Sequence, residues 1–586
     1  MADRVFGWVQ DASRYDNLRT TVECFEMGTP AWERLVAERI PQLVTDGEMG
    51  NTLLQALYST PMRLSYGLLT GRDRPGEYSG ILPLVLDGQS NGPMRGWSVD
   101  SFVRWAHALQ LIKYHVETDA FSITDRGHRF VNTQSGSEEE YEILEEALLS
   151  YPPAVRVLSL LAGDPDRALS KHEIGHQLGF VGEPGFTSFT EATYVREWAL
   201  ADAERRKELK NILEGDSTKY ARQICSWLCH LKHPWARGTR KSVLFGTGDG
   251  RQVPVLMGAW QITADGYAAL HSATGTSCHP RSPKFVPNQM LATKSQDRDY
   301  LRTRRYWVLS TVATHASTLR ELVTKLSEKD ITTTESAVAS DLQGLYSCGL
   351  AMHERVGRWK CDDTIIGLEA PLLEAPPVET NIRALVERIK GELQVVPAEY
   401  AELVAMSYDG SSNASSLKFE VKTMELLRDI CHLSAVHLGG PNRPDGLAIV
   451  DGSVVIIDTK AYSQGFSIPV GDRDKMIRYI EDLRSQDSRR NPQCQWWEWV
   501  GQQNVAVNGQ CFLFVSSQFV GAFRAQLQII SAPPQDTRGA AVTAETLLRL
   551  VDQVQLGLRT NSQLQADFCC LDEILVSASP TRPRQT

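Results

Sequence analysis

Residues 444–462 read PDGLAIVDGSVVIIDTKAY, two apolar runs joined by Asp451-Gly452. An Asp-Gly pair between β-prone segments predicts a two-residue hairpin turn, whose positions need a left-handed backbone. Neither run alternates apolar with polar residues, so both faces of these strands must be covered by other elements. With CFLFVSS further along and helical stretches before it, this predicts an α/β domain around a buried sheet.

The same hairpin gathers polar residues. Pairing brings Asp445, at the start of the first strand, beside the end of the second, where the two-residue repeat puts Asp458 and Lys460 on one side. Two carboxylates and a lysine offer hard oxygen ligands for Mg²⁺ and a cation to offset charge developing on phosphorus, the chemistry of phosphodiester hydrolysis. A D-x-K after an apolar strand also occurs as a solvated strand end, so the isolated motif leaves both readings open.

At 586 residues the chain exceeds a single core and predicts several domains. No apolar run reaches the about 18 residues of a membrane span, and MADRVFGWVQ lacks the apolar core of a signal peptide, so a soluble cytoplasmic protein without a membrane partner is expected. The 11 cysteines, odd in number and scattered, fit free thiols in a reducing compartment. A net charge of −10 speaks against broad nucleic-acid binding, but a local basic strip can coexist with an acidic whole.

An internal echo organises the first half: AFSITDRGHRF (120–130) and AWQITADGYAAL (259–270) share Ile-Thr-x-x-Gly after an aromatic residue. Each follows a tryptophan-bearing helix and strand-like residues, which is winged-helix order. A third unit without the echo has the same order, with helices in RRYWVLSTVATH, STLRELVTKLSEK and TTTESAVASDLQGLYSCG, a stop at Gly349 and a hairpin tip at Val356-Gly357-Arg358. Winged units bind DNA through their third helix or serve as protein interfaces. The expected fold is therefore multidomain: α+β winged-helix-like subdomains at 1–149, 150–281 and 282–368, a proline-bearing linker at 369–381, and an α/β domain with a central mixed sheet at 382–586. Helices are expected at 382–407 and 416–430.

A competing motif is His172-Glu173-x-x-His176, with metal-ligand spacing on a helix and a carboxylate as general base. Gly182 occupies the position of a third histidine, leaving only Glu183 or Glu197 as further ligands. Ser170 and Glu173 also form a capping box, which gives the glutamate a local task.

Longer stretches settle the comparison. HLGGPNRPDG (437–446), VIIDTKAYSQGFSIPVG (455–471), MIRYIED (476–482) and NPQCQWW (491–497) resemble the PD-(D/E)XK cleavage domain of the FokI-type type IIS restriction endonucleases. FGWVQ (6–10), WSVDSFVRWAHAL (97–109), SYPPAVRVLSLL (150–161), LGFVGEPGFTS (178–188), EGDSTKYAR (214–222) and DYLRTRR (299–305) resemble the same family in the same order.

The resemblance implies an enzyme that binds a short asymmetric site in double-stranded DNA and cuts both strands at a fixed distance with Mg²⁺. It implies Asp445 and Asp458 as metal ligands, Lys460 as the third catalytic residue, and Asp474 and Arg478 as dimerising contacts of a transient homodimer. Glu420 and Glu425 could reach waters of the metal shell. DNA reading carries over to Gln10 and Trp97 in the first subdomain and to Asn211, Glu214, Lys219 and Arg222 in the second. The family has Asn where this chain has Asp11, and the region around Arg72 and Arg74 aligns ambiguously. The family also implies a cognate methyltransferase and the pentanucleotide GGATG. A DNA-binding regulator whose nuclease-like domain only dimerises is the alternative.

Overall fold

The computed structural model describes residues 4–72, 80–86, 96–246, 251–276, 280–371, 379–492, 494–503 and 507–578. The chain divides into two compact units, the first comprising 1–188, 215–241 and 257–378, the second 189–214, 242–256 and 379–586. Most of the linker expected at 369–381 lies outside the described residues. Among the described residues no helix is long and apolar enough to cross a membrane.

In the first repeat, strand β1 (Leu64–Ser65) leads into helix α1 (Tyr66–Thr70), followed by α2 (Gly96–Ala108), the hairpin β2 (Ile112–His115) and β3 (Ala120–Ile123), and helix α3 (Asp125–Asn132). The second repeat has helix α4 (Pro152–Ala162), β4 (Leu169–Ser170), α5 (Lys171–Gly175), two inserted helices α6 (Glu191–Leu200) and α7 (Ala203–Ile212), then α8 (Asp216–Cys229), β5 (Ala236–Gly246), β6 (Gln252–Ile262) and α9 (Ala264–Thr274). The third has α10 (Arg298–Thr314), α11 (Leu319–Ser327), α12 (Glu335–Ser347), β7 (Met352–Arg355) and β8 (Arg358–Cys361).

All three share one topology. The first strand pairs with the last, giving β1-β3-β2 and β4-β6-β5, and in the third repeat Ser317 bridges Trp359 of β8, which pairs with β7. The helix after the first strand is capped each time by a hydroxyl, from Ser65, Ser170 and Thr318, which accepts an N–H of the first turn. Val356 and Gly357 form the expected hairpin tip with φ of 52° and 70°.

The sequence echo has a physical cause. Thr124 and Thr263 each donate their backbone N–H to a carbonyl ahead of the hairpin, that of Leu111 and of Trp235, and each caps the closing helix through the N–H of Gly127 or Gly266. A Cβ on either glycine would collide with that same carbonyl oxygen. Only glycine lets the closing helix sit this close to the hairpin.

In the second unit, helix α13 (Asn381–Glu392), a 3-10 turn (Ala398–Ala401), α14 (Glu402–Tyr408) and α15 (Asn413–Glu425) precede a mixed five-stranded sheet. The helix expected across 382–407 is broken at 393–397. Asp552 Oδ1 accepts the N–H groups of Gln394, Val395 and Val396 at 3.0, 2.9 and 3.1 Å, and Pro397 has no N–H to continue a helix.

The sheet runs β9 (Ser434–His437), β10 (Gly446–Val450), β11 (Ser453–Lys460), β12 (Gly509–Ser516) and β13 (Gly539–Thr543), antiparallel through β11 and parallel beyond it. Between β11 and β12 lies helix α16 (Val470–Ser485). Val455 and Ile457 enter one apolar cluster, with α14 and α15, while Val454 and Ile456 enter another, with α16. The continuous apolar runs are strands buried on both faces.

Candidate active site and DNA-reading surface

Asp451 and Gly452 turn the β10–β11 hairpin with φ of 46° and 77°, and the register pairs Gly446 with Ile457. Asp445 therefore arrives beside Asp458 and Thr459. Asp458 and Lys460 continue the Val454/Ile456 face of β11, and Lys460 Nζ lies 2.8 Å from Asp458 Oδ2 and 3.9 Å from Asp472 at the start of α16. The structure brings together all three residues expected of the catalytic trio.

Thr459, on the opposite parity, turns back to the first carboxylate. Its N–H and hydroxyl donate to Asp445 Oδ2 at 2.7 and 3.0 Å. Reading the sequence missed this contact; a hydroxyl inside the D-x-K motif was its only signal.

The electrostatics suit a cation. Burial and then the neighbouring Glu420 push Asp445 up to about 6, while burial and the Asp445 charge push Asp458 up to about 7 against the pull of Lys460. Burial would lower Lys460, but Asp458 and Asp445 outweigh it and hold the ammonium protonated. Two carboxylates, Asp458 buried and Asp445 half-buried, whose charges one lysine only partly offsets form a donor set that a hard divalent ion would relieve.

The helix before the hairpin divides its two glutamates. Glu420 borders Asp445 and lies 3.3 Å from His437 Nε2, whose Nδ1 is 2.8 Å from Glu197 of α6. Glu425 points elsewhere: it is fully buried and accepts from Thr193 at 2.7 Å, Tyr400 at 2.8 Å and Lys422 at 2.5 Å, so it does not reach a metal shell. Thr193 and Glu197 belong to the stretch 189–214, allotted from the sequence to the second subdomain, which the structure groups with the cleavage-like unit.

Asp474 and Arg478 are both exposed on α16. Asp474 pairs with Arg473 at 2.8 Å, and the Arg478 guanidinium lies 5.5 Å from the centre of the Tyr479 ring.

The zinc reading does not survive. Helix α5 ends at Gly175, so His176 is its C-cap. Glu173 closes the capping box on Ser170 and pairs with Lys241 at 2.8 Å, Glu183 pairs with Arg305 at 2.5 Å, and Glu197 is taken by His437.

Of the residues expected to read DNA, Lys219 and Arg222 lie on α8, and Glu214 directly precedes its N-cap Gly215. Gln10 Nε2 donates to Asp216 at 2.9 Å, and Arg222 pairs with Asp11 at 3.1 Å. The N-terminal arm of the first subdomain thus meets α8 of the second. Trp97 and Asn211 fall within helices α2 and α7, but their side chains lie outside the described residues, as does Arg74. Arg72 pairs with Asp100 at 3.2 Å. The third repeat differs in kind, for α12 carries neither lysine nor arginine and its Asp341 is buried against Arg304 and Arg305.

Comparison with known proteins finds matches along most of the chain. Family models match for the FokI recognition domain, subdomain 1, over residues 4–133, and subdomain 2 over 140–233. Those for the FokI D3 domain and cleavage domain match 291–356 and 379–575. The chain is 31% identical to the type II restriction enzyme FokI of Planomicrobium okeanokoites across 96% of this chain and 98% of that one. It is 28% identical to the type II restriction enzyme StsI of Streptococcus sanguinis across 93% and 91%. The solved structure of FokI superposes with a TM-score of 0.88 over 98% of this chain and 100% of that one at 31% identity. FokI bound to DNA gives 0.88 over 97% and 99% at 30% identity. A hairpin that assembles Asp445, Asp458 and Lys460 behind three winged repeats, matched over nearly its full length, places this chain in the FokI-type type IIS restriction endonuclease family.

Proposed function

We propose that residues 1–368 bind a short asymmetric duplex site and that residues 382–586 hydrolyse both strands at a fixed distance from it, in a Mg²⁺-dependent reaction. The convergence of Asp445, Asp458 and Lys460 at the C-terminal end of the central strand β11 carries this reading. Asp445 and Asp458 would hold the ion, with Thr459 fixing the orientation of Asp445. A bound Mg²⁺ supplies a Lewis acid and lowers the pKa of a water molecule. Lys460, kept charged by its carboxylate neighbours, orients the attacking water and offsets the negative charge developing on phosphorus. Asp472, 3.9 Å away, adds a further negative charge beside that ammonium.

One such site serves one strand, so a double-strand break requires two. Asp474 and Arg478, exposed and four residues apart on α16, suit a two-fold contact in which each pairs with the other in the second copy. Reading falls to Gln10, Trp97, Asn211, Glu214, Lys219 and Arg222, whose side chains can donate to guanine, accept from cytosine or pair with adenine. GGATG is the site to try first. A cognate methyltransferase would protect the host's own copies.

The test is incubation of the purified protein and of Asp458→Ala with Mg²⁺ and a sequenced plasmid, with every end mapped by run-off sequencing. Discrete ends at a constant offset from one asymmetric sequence, absent with the variant, are expected. Duplex binding without cleavage in either sample would favour the non-catalytic regulator.

A further inference from the structure

Asp216, the first residue of α8, has a side chain only 10% exposed, and its Oδ1 accepts from two directions. Gln10 Nε2 reaches it at 2.9 Å and Lys294 Nζ at 2.7 Å. One residue along the arm, Asp11 adopts φ of 62° and meets Arg222. Gln10 and Asp11 are therefore tied to the two ends of the series Asp216, Lys219, Arg222, spaced at i, i+3 and i+6 on one helix.

Asp216 and Lys294 are unequal partners. A carboxylate in the first turn is favoured by the helix dipole, and the N-cap Gly215 has no side chain to compete for that place. Lys294, arriving from the segment that leads into the third repeat, is 54% exposed. An ammonium has three donors, so Lys294 can keep Asp216 and still direct another N–H at an anion. The carboxylate thus holds the ammonium at the N-terminal end of α8 while about half of the lysine side chain stays open to solvent. A carboxylate so enclosed is itself no partner for a nucleic acid.

We propose that Lys294 is a further DNA-binding residue, contacting a backbone phosphate at the N-terminal end of α8, and that Asp216 is a positioning residue that holds Gln10 and Lys294 in register with that helix. This rests on α8 being a DNA-reading helix. It extends the interface to the segment before the third repeat, from which no reading residue was expected.

The experiment measures duplex binding by the full-length protein between 50 and 200 mM salt, with Ca²⁺ replacing Mg²⁺ to prevent cutting. One duplex carries the site mapped by run-off sequencing, and a second of equal length lacks it. A phosphate contact contributes about 0.9 to the slope of log affinity against log salt. Lys294→Gln is expected to weaken binding to both duplexes and to make that slope shallower by about 0.9, so that this salt range costs it about threefold less affinity than wild type. Lys294→Arg should retain the slope. Asp216→Asn should lower the preference for the site duplex over the other duplex by about tenfold, a ratio that a general loss of stability would not move.

An unchanged slope in Lys294→Gln, or a loss confined to the site duplex, overturns the phosphate contact. An unchanged site preference in Asp216→Asn overturns the positioning role. A wild-type protein that binds neither duplex instead refutes the reading of α8, and this inference with it.

Discussion

Thr459 donates both its backbone N–H and its hydroxyl to the same oxygen of Asp445, at 2.7 and 3.0 Å. The outer oxygen is left for a ligand, and the carboxylate cannot rotate without losing both bonds. Thr459→Val keeps the shape and the N–H but removes the hydroxyl. It should raise the Mg²⁺ concentration needed for half-maximal cleavage by about tenfold to a hundredfold, the usual cost of losing a partner of a metal ligand. Metal titrations of cleavage rate will read this, and Thr459→Ser should recover most of the loss.

A second expectation concerns pH. Burial would lower His437, but Glu197 and Glu420 outweigh it and raise it to about 9. A histidine whose folded pKa exceeds its unfolded value stabilises fully below the unfolded value, near 6.5, and loses that contribution as pH rises through the folded one. Unfolding of the wild-type protein should therefore become easier between about pH 6.5 and pH 9. His437→Gln should flatten this dependence, with melting temperatures across the range as the measurement; an equally steep variant would falsify the assignment.

The buried cluster in the third repeat predicts a large loss on truncation. Asp341 accepts from Arg304 at 2.7 and 3.0 Å and from Arg305 at 2.7 Å, all essentially without solvent. Asp341→Ala removes the carboxylate that two buried guanidinium groups share, and should cost about 3–5 kcal/mol in denaturant unfolding of the first unit.

Gly127→Ala and Gly266→Ala each test the echo. The added methyl collides with the carbonyl of Leu111 or Trp235, which must move together with the hairpin behind it. Each should destabilise by about 1–3 kcal/mol, as overpacking does. Replacing Gly471, whose Cβ would meet nothing, serves as the control.

The proposed two-fold contact can be tested by charge exchange. Asp474→Arg or Arg478→Asp alone should slow double-strand cleavage, because each copy then faces its own charge in the partner. An equimolar mixture of the two variants should restore the rate, measured on a one-site plasmid.

What could be read from residues alone was local. The Asp451-Gly452 turn, the apolar runs on either side and the two-residue spacing of Asp458 and Lys460 all follow from backbone preferences acting over a few positions, so the hairpin and the placing of its polar residues were legible. The repeated Ile-Thr-x-x-Gly was equally visible, but its glycine acquired a reason only once the carbonyls of Leu111 and Trp235 were seen against it. The helix break at 393–397 went unread because its cause, Asp552, lies about 157 residues away.

The remaining features needed the folded chain. Glu197 and His437 are 240 positions apart, Gln10 and Asp216 are 206, and Thr193 and Glu425 are 232. A polar residue carries no mark of a partner at such a separation, because hydrophobic periodicity reports which face is buried and not what will lie against it. Local conformational preference thus determined the hairpin and the placing of Asp445, Asp458 and Lys460 on it, while tertiary packing alone decided which distant polar residues pair and which helices join the second unit.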